Sequence, residues 1–263
     1  YVSKISGATE EEMKFMWMKN LKTLTINDPS ITSLEDLVFF PNLESLTLGD
    51  YSQNSPNITT MDGVENCTKL KNIIILYGPD KDYTAVSLLA NLTDFHKVGG
   101  NDYDDIINAL KKCKTLKNFV VTNQNQVDMS RISELDDGLT SLNLNNNGIT
   151  KIEGLNNKSN LVSLRLESNQ ITNIEGLENL YQLETLDFWN NHIEDIIPLS
   201  KNTTLTNLNL AANKEIDGNR SNYTGERLEA LNKIGEILDR GGTINIDIDK
   251  LGLFTNYKTL DLG

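Results

Sequence analysis

The sequence predicts an α/β solenoid in which stacked repeats share a parallel β-sheet, and two observations lead to this prediction. Leucines recur at a strict 22-residue interval, and the units open at Leu139, Leu161, Leu183 and Leu205. Each unit begins with the pattern L-x-x-L-x-[LF]-x-x-N and carries further apolar residues in its second half. A single unit of this size cannot bury such a face alone, whereas a stack of units can.

An asparagine ends the strand half of each regular unit. The series comprises Asn147, Asn169, Asn191 and Asn213. A buried side-chain amide must find partners for its donors and its acceptor. We therefore expect each of these side chains to bond the backbone of its own coil and that of the next coil.

Looser copies precede the regular units. They begin at Leu21, Leu43, Leu70, Leu92 and Leu116, which brings the count to nine coils. The unit that starts at Leu43 is 27 residues long, and we expect its five extra residues to bulge from the rim within residues 49–57. The coil that starts at Leu92 is the least regular, because Lys97 occupies a core position.

We expect a cap at each end, because the terminal coils of a solenoid would otherwise expose apolar faces. Residues 1–20 are predicted to form an N-terminal cap helix, in which a run of acids follows the capping residue Thr9. Residues 21–216 hold the nine repeats. The unbroken periodicity indicates a single domain over residues 1–263.

Residues 217–263 are predicted to form a helix followed by terminal strands. The apolar helix face comprises Leu228, Leu231, Ile234 and Leu238. Two glycines, Gly241 and Gly242, stop the helix. The strand residues that follow are Ile244, Ile246, Ile248, Tyr257, Leu260 and Leu262. We expect them to continue the sheet.

The composition excludes two classes of partner. A formal net charge of −13 argues against binding of nucleic acid or of an anionic membrane through bulk electrostatics. No apolar run reaches the length of a membrane span, so we expect no membrane insertion. A start at Tyr1 without a signal peptide favours a mature or trimmed chain, and we expect a monomer.

The two cysteines occupy inward positions before predicted strands. Cys67 and Cys113 are separated by two coils. Because neighbouring strands are about 4.8 Å apart, their Cα atoms should lie on the order of 10 Å from each other. That distance exceeds the reach of a disulfide, so both are predicted to be buried thiols.

The units LTSLNLNNNGITKIEGLNNKSN and LVSLRLESNQITNIEGLENLYQ resemble the 22-residue leucine-rich repeats of bacterial internalins. The resemblance runs from about Leu21 to Ile216. It implies a right-handed horseshoe with a concave parallel sheet and short 3₁₀ turns on the convex side, used on bacterial surfaces to bind proteins. The irregular coils from Leu43 to Leu139 depart from the internalin pattern, and the sequence shows neither an immunoglobulin-like extension nor a wall-anchor motif.

Nothing in the sequence indicates catalysis. The two histidines, His96 and His192, belong to no nucleophile or metal motif. The acidic stretch NDYDD lacks the glycine and the distal glutamate of a calcium loop, and we interpret it as a solvated rim. We therefore predict no enzyme activity, no cofactor and no metal site.

The candidate binding residues lie on the concave face, where alternate strand positions point outward. One group consists of Trp189 with Asp187, Glu167 and Arg165, next to Asn143 and Asn145. An aromatic residue surrounded by charges is typical of a binding hot spot. A second group consists of the apolar residues Ile74, Leu76, Tyr77 and Val120. Alternatively, the loop inserted at residues 49–57 folds over this second group, which would then be unavailable for binding.

These observations favour a non-enzymatic recognition module that binds a protein or a glycan on its concave face. We expect it to be extracellular or displayed on a bacterial surface. One alternative is a cytoplasmic scaffold that resembles the leucine-rich regulatory subunits of phosphatases. Another is a repeat domain of a larger enzyme.

Overall fold

The computed structural model describes residues 16–193, 195–213 and 225–246. The chain forms two compact units, Tyr1–Leu116 and Lys117–Gly263. In both units a short strand is followed by a return segment, and this alternation repeats along the chain. Every one of the nine predicted coils contributes a strand, so the predicted solenoid is confirmed.

Four parallel strands form the sheet of the first unit. They are β1 (Thr23–Ile26), β2 (Ser45–Leu48), β3 (Asn72–Leu76) and β4 (Asp94–Val98). Consecutive strands pair in register, so that Leu46 lies between Leu24 and Ile73. The return segments include the 3₁₀ helices Glu35–Phe39, Val64–Asn66 and Thr84–Leu88 and the α-helix Tyr103–Leu110.

Six parallel strands form the sheet of the second unit. They are β5 (Asn118–Thr122), β6 (Ser141–Asn143), β7 (Ser163–Arg165), β8 (Thr185–Asp187), β9 (Asn207–Asn209) and β10 (Thr243–Asn245). The leucines predicted to align, from Leu142 to Leu208, are direct register partners, so the predicted parallel pairing is confirmed. The return segments include the 3₁₀ helices Met129–Glu134 and Ile197–Lys201 and the α-helix Gly225–Asp239.

The asparagine series is buried and links coil to coil. The Oδ1 atom of Asn169 accepts from the backbone N–H groups of Asn147 and Ile149 at 3.0 Å each. Its Nδ2 group donates to the carbonyl of Leu144 at 3.0 Å and to that of Leu166 at 2.9 Å. The expected bonds within the coil are confirmed. The expected direction was wrong, because the bonds between coils reach the preceding coil and not the next one.

The helix Tyr103–Leu110 was not predicted from the sequence. Its residues Ile106, Ile107 and Leu110 are buried, at a spacing that places them on one helical face. Asp104 and Asp105 lie in the first turn, where their negative charges interact favourably with the positive end of the helix dipole. The interpretation of NDYDD as a solvated rim holds for Asp104 and Asp105, which are exposed, but it is wrong for Asp102, which is only 2% exposed.

The caps are described in part. Residues 16–20 are helical, and the remainder of the predicted N-terminal helix lies outside the described residues. The helix Gly225–Asp239 buries Leu231, Ile234 and Leu238 as predicted, and β10 follows it. The predicted strand residues Ile248, Tyr257, Leu260 and Leu262 also lie outside the described residues.

Both cysteines are free and buried, as the sequence predicted. The Cys67 thiol points at the carbonyls of Leu37 and Phe40, at 3.7 and 3.6 Å. Burial raises the pKa of Cys67 to about 11, and it raises the pKa of Cys113 to the same value. These thiols therefore pack as small core residues.

Candidate functional site

Strands β6–β9 present one polar side to solvent. The central leucine of each strand is buried, while the residues on either side of it are half-buried or exposed. The register places Asn143 beside Arg165, and Arg165 beside Asp187. We call this surface, with the residues that follow each strand, the solvent face of β6–β9.

Trp189 follows β8 and is 43% exposed. Its backbone is held on both sides. Its N–H group donates to Oδ1 of Asp187 at 3.0 Å, and its carbonyl accepts from the N–H group of Ser168 at 2.8 Å. The indole is thus displayed from a fixed backbone, so little backbone ordering would oppose binding.

The asparagines of this face support the same turn in the neighbouring coils. The Oδ1 atom of Asn143 accepts from the N–H group of Asn145 at 3.0 Å. The Oδ1 atom of Asn145 accepts from the N–H group of Glu167 at 2.9 Å. These predicted site residues therefore position Glu167.

Glu167 and Asp187 form a pair of carboxyl groups on this face. Burial raises the pKa of Glu167, and its hydrogen bond with the Asp187 carboxyl and the nearby negative charge raise it further. The charge of Arg165 acts in the opposite direction. The pair therefore retains its proton to a higher pH than a solvated glutamate would.

The structure does not display the second predicted group as one apolar surface. Ile74 and Tyr77 are half-buried, but Leu76 is only 3% exposed, so its assignment as a contact residue was wrong. The insertion loop lies close to this end of β3, because Ser55 approaches Gly78 and Gly49 approaches the backbone carbonyl of Leu76. Val120 is half-buried and belongs to the second unit.

Part of the chain matches a known protein family: a family model described as leucine-rich repeats (2 copies) matches residues 137–179. A crystal structure of an internalin from Listeria monocytogenes is 24% identical, with a TM-score of 0.67, and the match covers 93% of this chain and 68% of that one. The chain therefore has a leucine-rich-repeat fold similar to that of the internalins.

Two further structures support the same fold. The crystal structure of an internalin C2 from Listeria monocytogenes is 24% identical to this chain, with a TM-score of 0.60. The match covers 73% of this chain and 81% of the internalin C2 chain. A leucine-rich-repeat protein from Leptospira interrogans is 17% identical, with a TM-score of 0.56, over 87% of this chain and 62% of that one. No curated protein matches in sequence.

The two histidines of this chain differ in their surroundings. His96 is half-buried in β4, and burial lowers its pKa, while His192 is exposed. Within the described residues, no three histidine, cysteine or acidic side chains are arranged to hold a metal ion. None of the helices that the structure describes is long and apolar enough to cross a bilayer.

The first unit of this chain contains a buried polar cluster that was not predicted from the sequence. It comprises Lys81, Lys97, Asp102 and Tyr83. The Nζ group of Lys81 donates to the carbonyls of Ile58 and Pro79 at 2.7 and 2.9 Å. One signal was present, because Lys97 stands where the other coils have an apolar residue. Asp102 gave a misleading signal, since its place among other acids favoured a solvated rim.

Proposed function

We propose that the chain is a non-enzymatic recognition module that binds a protein segment through the solvent face of β6–β9. The observation that carries the proposal is the 43% exposure of Trp189 beside the carboxyl pair of Asp187 and Glu167. Tryptophan is enriched among the few interface residues that dominate binding energy. The internalin-like fold supports display at a bacterial surface or secretion, which we propose for this chain.

The chemistry of this face favours a ligand that presents a lysine or an arginine. The indole ring attracts a cation through its π-electrons, and the two carboxyl groups supply the opposite charge. The net charge of −13 would also speed the encounter with a basic ligand. A cation in contact with Glu167 favours its charged form, so binding should strengthen as pH rises through the raised pKa of Glu167.

A protein ligand explains these residues better than a glycan does. The Oδ1 atoms of Asn143, Asn145 and Asn209 accept backbone hydrogen bonds within the sheet. They are therefore already engaged in support of the turns. A neutral glycan would use the paired acids only as hydrogen-bond acceptors, whereas a basic side chain also pairs with their charge.

The proposal is tested with a phage-displayed library of random peptides selected on the folded protein. Selected peptides should be enriched in lysine and arginine, and Trp189→Ala should weaken their binding by about 2 kcal/mol or more. Tyr181→Ala is the matched control, because Tyr181 is an exposed aromatic that precedes β8, whereas Trp189 follows this strand. Peptides that bind Trp189→Ala as tightly as the wild type would exclude this face.

A further inference from the structure

Lys97 and Asp102 form a fully buried pair that the proposed recognition function does not use. The Nζ atom of Lys97 lies 4.0 Å from Oδ2 of Asp102, and both side chains are 0% exposed. Among the described residues, this ammonium nitrogen has no hydrogen-bond partner. Burial lowers the pKa of Lys97, with the negative charges of Asp102 and Asp80 acting against it. A desolvated lysine is readily converted to the neutral amine, which is a nucleophile.

Two donors converge on the Oδ2 atom of Asp102. The hydroxyl group of Tyr83 donates to it at 2.8 Å, and the backbone N–H group of Lys81 donates at 3.3 Å. Fixed donors in a buried site stabilise an oxygen on which negative charge develops. This arrangement would stabilise the oxyanion formed when a nucleophile attacks the Asp102 carboxyl carbon.

A glycine turn brings a third charged group to the pair. Gly100 has a φ of +101°, and a Cβ atom there would lie 2.8 Å from Oδ1 of Asp80, 3.0 Å from Oδ1 of Asp102 and 3.0 Å from Nζ of Lys97. Only a residue without a side chain allows this convergence. The backbone N–H group of Asn101 donates to Oδ1 of Asp80 at 2.9 Å and fixes that carboxylate.

We propose that Lys97 and Asp102 condense into an intramolecular amide bond with loss of one water molecule. A proton first moves from the ammonium group of Lys97 to Oδ1 of Asp102, which leaves a neutral amine and a carboxylic acid. The amine attacks Cγ, and the resulting charge on Oδ2 is stabilised by Tyr83 and by the N–H group of Lys81.

The Asp80 carboxylate completes the reaction as a proton carrier. It takes a proton from the attacking nitrogen and passes it to Oδ1, so that the C–Oδ1 bond breaks and water leaves. The N–Cγ bond replaces it, Oδ2 becomes the amide oxygen, and Asp80 returns to its starting state. No oxidant or other reagent is consumed. The product ties the end of β4 to the residue that precedes the helix Tyr103–Leu110 and removes two buried charges.

The test is the intact mass of the wild-type chain, measured after denaturation. We expect a mass lower by one water molecule than the sequence requires, and loss of tryptic cleavage after Lys97. Hydroxylamine treatment distinguishes the amide from a cyclic imide at Asp102, because only the imide is cleaved. A chain with the full sequence mass and normal cleavage after Lys97 would show that the pair is ionic only and overturn the proposal.

Two variants separate the roles of the groups. Lys97→Arg keeps the positive charge but removes the nucleophile, so the full mass should return. Tyr83→Phe removes one donor to Oδ2 and should lower the fraction of cross-linked chains, with circular dichroism used to confirm folding. Loss of water that persists in Lys97→Arg would place the dehydration elsewhere. If either variant fails to fold, the wild-type mass and cleavage pattern still decide the question.

Discussion

The side chain of Asn169 accepts a hydrogen bond from the backbone N–H group of Asn147 at 3.0 Å. Asn147 repeats this contact one coil earlier, with the N–H group of Gln124 at 2.9 Å. The asparagine series thus connects each coil to the one before it through buried amides. A defect at one position therefore affects two coils.

Replacement of Asn169 by alanine should destabilise the second unit. It would leave the N–H groups of Asn147 and Ile149 without their acceptor, at about 1–3 kcal/mol for each buried group left unsatisfied. The measurement is the free energy of unfolding by chemical denaturation. Asn156→Ala is the control, because Asn156 is exposed, and an equal effect of the two substitutions would contradict the buried role.

The two thiols should resist modification in the native protein. Cys67 and Cys113 are buried, and each has a pKa raised to about 11, so little reactive thiolate forms at neutral pH. A chromogenic thiol reagent should label both cysteines in denaturant and neither in buffer. Rapid labelling of the native chain would show that one of the coils opens.

Leu76→Ala should lower the free energy of unfolding and leave ligand binding unchanged, because Leu76 is only 3% exposed. Loss of a buried leucine typically costs about 2–5 kcal/mol. Leu88→Ala is the control, since Leu88 is 68% exposed, and its effect should stay within about 0.5 kcal/mol. A thermal melt of Leu76→Ala that matches the wild type would place this side chain in solvent.

The carboxyl group of Glu167 should titrate above the ordinary value of glutamate. Trp17→Phe leaves Trp189 as the sole tryptophan, whose fluorescence then reports the charge of Glu167 and Asp187. The midpoint should lie above pH 4.5 and fall in Asp187→Asn, because the second carboxyl raises the pKa of Glu167. A midpoint that Asp187→Asn does not move would show that the two groups are independent.

The same shift has a consequence for stability. The folded protein holds the Glu167 proton to a higher pH than the unfolded chain does. The stabilisation is therefore complete below the ordinary pKa of 4.5 and is lost as pH rises through the folded pKa. Glu167→Gln should remove this pH dependence, as measured by chemical denaturation at a series of pH values.

Local periodicity was sufficient to predict most of the strand positions. Leu142 and Leu164 align because a 22-residue unit returns the chain to the same side of the core each time. The helix Tyr103–Leu110 was harder to predict, because its buried residues interrupt the period of the repeats. Its apolar face becomes evident only in the folded chain, where the helix packs against the preceding 3₁₀ helix Thr84–Leu88.

The sequence by itself determined the number of coils, the inward leucines, the buried cysteines and the exposure of Trp189, because each follows from a position within a repeating unit. The tertiary structure alone decided which polar groups meet. Leu76 is buried at a strand end that the inserted loop at residues 49–57 approaches. Lys97 and Asp102 meet because a glycine turn reverses the chain between them. A repeat pattern specifies what each coil has in common, whereas these contacts depend on segments that interrupt the pattern.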